Sequence, residues 1–81
     1  MKLRLTATAK ASYDAAPEPV QRAFDKNVML LVKTFRHPSL RAKKYDETND
    51  VWQARINRNW RFYFQIVGDT YIIHKIIPHP R

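Results

Sequence analysis

Three strand-like runs rich in β-branched and aromatic residues close the chain: VWQARI at 51–56, WRFYFQIV at 60–67 and TYIIHKII at 70–77. Between them lie only Asn57-Arg58-Asn59 and Gly68-Asp69, residues that accept positive φ or bond their own backbone. Connections this short join antiparallel neighbours, so the last third of the chain is an antiparallel meander. Register follows too, because a slip of one residue would carry every side chain to the other face. A three-residue loop at 57–59 sets Ile56 opposite Trp60, Ala54 opposite Phe62 and Trp52 opposite Phe64. One face is then almost wholly apolar. The other receives Gln53, Arg55, Arg61, Tyr63 and Gln65, with Arg55 directly across from Arg61. The third run is apolar on both faces, which predicts an interior strand and a half-buried, structural His74.

The apolar face needs a cover. After Pro17 and Pro19, tolerated in a helix's first turn, Val20, Phe24, Val28, Leu31 and Phe35 recur at helical spacing, and His37-Pro38 stops the helix. Met29, Leu30 and Val32 widen that stripe, which suits core packing better than a partner-binding groove. Upstream, LRLTAT at 3–8 alternates as a half-buried strand does, while KASYDAA at 10–16 suits a short helix or a loop. Residues 37–50, HPSLRAKKYDETND, read as a surface loop. The predicted fold class is therefore α+β, a single domain over residues 1–81. It has two layers, a first strand followed by one long helix, with or without a short helix before it. These pack on a four-stranded, mainly antiparallel sheet that ends in the meander.

Fifteen Lys and Arg against seven Asp and Glu give a net charge of +8, a positive potential over much of so small a body. Its natural partners are polyanions or an acidic protein. From Arg36 to Arg61 seven basic residues face three acidic ones. There is no cysteine, hence no disulfide framework and no thiolate zinc site. The opening MKLRLTATAK supplies no apolar run fit for a signal peptide or membrane helix, so the expected setting is the cytoplasm, without membrane or cofactor.

Like charges directly opposite each other destabilise a sheet unless something compensates. Arg55 and Arg61, with Lys43, Lys44 and Arg58 near in sequence, either form a forked donor cluster for phosphate oxygens or splay into water as stems that cover the sheet. Tyr63 on that face either stacks on a base or simply packs. His79 lies past the last strand in PHPR, where Arg81 adds charge. His74 and His79 alone are too few ligands for a metal, and no phosphate-loop, nucleophile-elbow or zincin spacing occurs.

HPSLRAKKYD, then VWQARINRNWRFYF, then GDTYIIHKIIPH together resemble the RelE/ParE superfamily of toxin–antitoxin toxins, above all its RelE and YoeB branch. The likeness covers residues 35–81 well and the first third weakly. It implies a ribosome-dependent messenger-RNA endoribonuclease that needs no metal, neutralised by a cognate antitoxin. It puts Arg61 on the catalytic arginine and His79 on the C-terminal catalytic histidine. Lys43, Lys44 and Arg55 match the family's basic character and would hold the RNA, helped by Arg58, Tyr63 and Arg81. Glu47 is a loose candidate for the base. Between Lys10 and Ala16 there is room for only a single turn of the family's first helix, or for none. A ParE-like toxin that poisons DNA gyrase and a basic RNA-binding module without catalysis are the rival readings.

Overall fold

The computed structural model describes residues 1–79. In chain order they form β1 (Lys2–Leu5), α1 (Ala7–Ala15), α2 (Glu18–Lys33), a 3₁₀ turn (Pro38–Leu40), β2 (Lys43–Asp46), β3 (Val51–Asn57), β4 (Trp60–Val67) and β5 (Thr70–Pro78). The sheet runs β1-β5-β4-β3-β2, five strands where the sequence predicts four. The added strand comes out of the expected loop: Lys43 and Lys44 pair with Gln53 and Trp52. Every pairing is antiparallel except that of β1, which lies parallel to β5. β5 is thus interior, as its apolar faces require.

In the meander Trp52, Ala54 and Arg55 stand opposite Phe64, Phe62 and Arg61, as the pattern predicts. One rung differs: Asn57, not Ile56, faces Trp60. The turn is therefore the two residues Arg58-Asn59, and Ile56 bulges out of the ladder. A helix side chain takes up the bulge's polar groups. Asn27, buried on α2, donates from Nδ2 to the carbonyls of Arg55 at 2.7 Å and Ile56 at 2.8 Å.

The first helix is longer than the sequence predicts, nine residues, because the chain leaves β1 early. Thr6 and Thr8 read as strand by alternation. Thr6 instead caps α1, its Oγ1 accepting the Ala9 N–H at 3.1 Å while its hydroxyl donates to the His74 carbonyl at 3.2 Å. A threonine cap outweighs a weak strand preference at a sheet edge. Ser12 then ties α1 to the sheet, its Oγ accepting the Ile76 N–H at 3.2 Å. α2 ends at Lys33, before the expected stop at His37-Pro38; Thr34 turns extended at φ −147°, and Phe35 leaves the helix to set its ring edge-on to Trp52, centroids 4.9 Å apart.

Both helices cover one face of the sheet. Val20, Phe24, Val28 and Leu31 bury against Ala54, Phe62, Phe64, Ile73 and Ile76, and Phe24 meets Phe62 edge-on at 5.3 Å. Leu30 and Val32 pack on this core, whereas Met29 stays exposed. The opposite face is left uncovered by the helices.

Asn27→Leu keeps the volume but strips both bulge carbonyls of their donor. It should cost about 1–3 kcal/mol, the range for buried polar groups left unsatisfied. The melting midpoint should fall by about 4–8 °C per kcal/mol. Thermal unfolding followed by circular dichroism checks this, and an unchanged midpoint would remove Asn27 from its anchoring role.

Candidate functional site

On the open face Arg55 of β3 and Arg61 of β4 stand opposite each other. With Arg41, Lys43, Gln53, Ala54 and His79 they line a cleft of about 290 Å³. Each is positioned by a separate local device. Lys43 arrives by pairing of β2 with β3. Arg41 follows the Pro38–Leu40 turn in the left-handed region, φ 46°, held there against local preference while its neighbour Leu40 is fully buried. His79 is pinned through its backbone, whose N–H donates to the Asn59 carbonyl at 2.6 Å, so the end of β5 is fastened to the β3–β4 turn.

Arg61 closes that turn itself. Its Nη1 donates to the carbonyls of Asn57 at 2.7 Å and Trp60 at 2.9 Å. Three N–H donors remain on Nε and Nη2 for a ligand. Burial first, then the charges of Arg55 and Arg41, push the Arg61 pKa below its ordinary value. The guanidinium nonetheless stays protonated in any physiological range. Among the described residues the ion pairs join Lys2 to Asp69, Lys10 to Asp14, Arg22 to Glu18 and Lys44 to Asp50. None of them reaches Arg41, Lys43, Arg55 or Arg61. A cleft that concentrates guanidinium charge without an acid is unfavourable alone and becomes favourable around an anion with several oxygens.

No protein-family model matches the chain, and no curated protein matches it in sequence. Solved structures do match. The YoeB/ParE toxin from Agrobacterium tumefaciens aligns with a TM-score of 0.82 at 15% identity, over 99% of this chain and 100% of that one. The archaeal RelE–RelB complex from Pyrococcus horikoshii OT3 gives 0.79 at 16% identity, over 99% and 96%. The toxin–antitoxin complex RelBE2 from Mycobacterium tuberculosis gives 0.78 at 18%, over 96% of each chain. The fold is that of the RelE/ParE toxin superfamily.

Within this RelE/ParE fold the expected site residues divide. Arg61, His79, Arg55 and Lys43 come together in the cleft. Lys44 does not. Strand alternation sends it to the other face, where its ammonium lies 4.7 Å over the Trp52 ring and pairs with Asp50. Tyr63 is only 6% exposed, with the Tyr45 ring edge 4.8 Å away and the Lys75 ammonium 5.2 Å over it, which leaves no open ring face for a base. Its hydroxyl accepts from Gln53 Nε2 at 2.9 Å. The exposed aromatic of this face is Tyr45, 61% accessible, hidden in the sequence within a polar stretch that looks like a loop. Arg58 sits exposed at the turn and Glu47 exposed after β2, both outside the cleft lining. Arg81 lies outside the described residues. Arg41 is the member that sequence reasoning missed. Its only signal was a place in a basic stretch, since a left-handed backbone at arginine has no sequence signature.

Among the described residues no three His, Cys, Asp or Glu side chains gather as metal ligands, and no helix is long and apolar enough to cross a membrane.

Arg55→Gln should stabilise the free protein by about 0.2–1 kcal/mol at low salt, since it removes a like charge opposite Arg61. The gain should shrink at about 1 M salt, where charge interactions are screened within about 3 Å. Urea unfolding at two salt concentrations reads both effects. Destabilisation at low salt would show that the Arg55 stem matters more than its charge.

Proposed function

We propose that this chain is the toxin of a toxin–antitoxin pair and an endoribonuclease that cuts messenger RNA on the ribosome. The observation that carries the proposal is the acid-free cleft uniting Arg41, Lys43, Arg55 and Arg61 with His79. RNA supplies what that cleft lacks, a phosphate with oxygens to share among the guanidiniums. RNA also supplies its own nucleophile. The 2′-hydroxyl attacks the adjacent phosphorus in line; the 2′-O–P bond forms as the P–O5′ bond breaks, leaving a 2′,3′-cyclic phosphate and a 5′-hydroxyl.

In this reading Arg61 turns Nε–H and Nη2–H toward the phosphoryl oxygens, where charge builds up in the transition state. Arg41 and Arg55 share that charge. Lys43 neutralises the flanking backbone. His79, exposed at the cleft's rim, protonates O5′ as it leaves, imidazole being the side chain that exchanges protons most readily near neutrality. No carboxylate lines the cleft, so the 2′-hydroxyl proton passes to water or to a group of the ribosome. The +8 charge favours an antitoxin with acidic residues, and two of the similar structures are the archaeal RelE–RelB complex and the toxin–antitoxin complex RelBE2.

Arg61→Ala should abolish growth arrest, and Arg61→Lys should restore little, because one ammonium cannot both close the turn and offer a planar fork. His79→Gln should lower cleavage by about 10²- to 10⁴-fold, the usual share of a general acid, while leaving RNA binding nearly intact. His74→Gln is the control. It should cost stability rather than chemistry, since His74 Nε2 lies 2.6 Å from Gln65 Oε1 within the sheet. Cleavage is measured on translating ribosomes at matched folded fraction. Undiminished cutting by His79→Gln would move the acid elsewhere, and broken DNA with intact messages would replace this reading by gyrase poisoning.

A further inference from the structure

A second cavity, about 250 Å³, opens on the same sheet face, lined by Tyr45, Asp46, Val51, Tyr63, His74 and Lys75 among others. Its shape comes from two irregularities in the sheet. A register shift between Lys44 and Asp46 turns the end of β2, and another across from Tyr63 and Phe64 brings His74 and Lys75 onto one side of β5. Along β4 the cavity's Gln65 lies four residues from Arg61, about 13 Å at the rise of a strand. A base near the phosphate held by Arg61 can reach it.

The lining fits a flat heterocycle. Tyr45 offers an exposed ring, with Val51 and the mostly covered Tyr63 in the same lining. Polar groups stand at the rim. Asp46 accepts the Asn49 N–H at 3.2 Å on Oδ1 and Asn49 Nδ2 at 2.8 Å on Oδ2, with the Thr48 backbone N–H as a further donor, and its two oxygens form the acceptor edge of the rim. Those Asn49 bonds, the side-chain one foremost, hold the Asp46 carboxyl below its ordinary pKa, so it is a pure acceptor. Lys75, in the same lining with its ammonium 5.2 Å over the Tyr63 ring, is a pure donor. Gln65 is already used: its Nε2 donates to the Asn49 carbonyl at 2.7 Å, which leaves Oε1 to accept from His74 Nε2–H at 2.6 Å.

A carboxylate with two adjacent oxygens and an ammonium in the lining of one cavity select among the bases. Guanine alone presents two adjacent donors, N1–H and the N2 amine, with O6 and N7 as acceptors. Adenine and cytosine would set a ring-nitrogen lone pair against the carboxylate, and uracil offers a single N–H between two carbonyls. Mismatches of this kind are rejected as well as unrewarded. We infer that this cavity is a guanine subsite, in which Tyr45 stacks on the base, Asp46 accepts N1–H and N2–H, and Lys75 donates to O6 or N7. The inference rests on the RNA-binding reading of the arginine cleft and adds a preference for which base lies beside the bound phosphate.

Nucleoside 5′-monophosphates test it on the whole protein, since all share the phosphate and differ only in the base. By NMR titration GMP should bind about five- to a hundredfold tighter than AMP, CMP or UMP, the span expected of one bidentate base contact. IMP, which lacks only the N2 amine, should lose most of that advantage. Asp46→Asn should erase the difference between GMP and IMP while leaving the affinity for inorganic phosphate unchanged. Tyr45→Ala, which touches none of the Asn49 bonds, should weaken all four bases and spare inorganic phosphate. Equal affinity for GMP and IMP, or GMP shifts confined to residues of the arginine cleft, would overturn the subsite. That failure is separable from failure of the function: RNA cleavage dependent on Arg61 without base preference sinks only the subsite. GMP selectivity in a protein that neither binds nor cuts RNA sinks only the nuclease.

Discussion

Two guanidiniums face each other across neighbouring strands with no acid between them, and much of the open face is arranged to keep them there. The repulsion between Arg55 and Arg61 works against the β3–β4 hairpin. Three hydrogen-bond sets oppose it. Asn27 reaches from α2 to the Arg55 and Ile56 carbonyls, Arg61 Nη1 closes the turn onto Asn57 and Trp60, and the His79 N–H grips Asn59. Positioning of the site is thus bound up with stability of the fold. The arrangement is what a stored electrostatic preorganisation requires: donors fixed before the anion arrives, at a cost in the free protein.

The open face carries two cavities of different character side by side. The arginine cleft has charge without shape selectivity, suited to phosphate that every nucleotide carries. The neighbouring cavity has the reverse character, lined by an exposed aromatic ring, a valine, one acid and one ammonium among others. Gln53 and Tyr63 divide them, buried and bonded to each other, so that the two sites are held at a fixed separation. Tyr63 acts as a wall of the surface and Tyr45 as its exposed platform.

What the sequence showed was whatever rests on period and short turns. Arg55 opposite Arg61 could be read because alternation and a tight turn leave one register, and the helix from Pro17 because its apolar stripe repeats. Longer-range devices left no such trace. Thr6 and Thr8 alternate like strand residues, yet the cap at Ala9 and the bond to His74 pull them into α1. β2 hid in a polar, charged stretch because an edge strand needs no apolar face. That hidden strand explains why Lys44 was placed with Lys43: in a loop both could turn to the cleft, but in a strand they alternate. Asn27 was invisible because its partners are backbone carbonyls of a bulge. The same physics explains why chains of 15–18% identity share this fold, since period and turn placement survive substitutions that erase identity.

The central claim, that the acid-free cleft seats an RNA phosphate against Arg61, is tested most directly by NMR of the arginine side-chain N–H groups with an uncleavable 2′-O-methyl RNA. The Nε–H of Arg61 should shift first and furthest, followed by those of Arg55 and Arg41 and by the His79 ring, with Arg4 and Arg22 silent. Shifts spread evenly over all arginines, or centred on the helical face with Arg61 unmoved, would contradict the account.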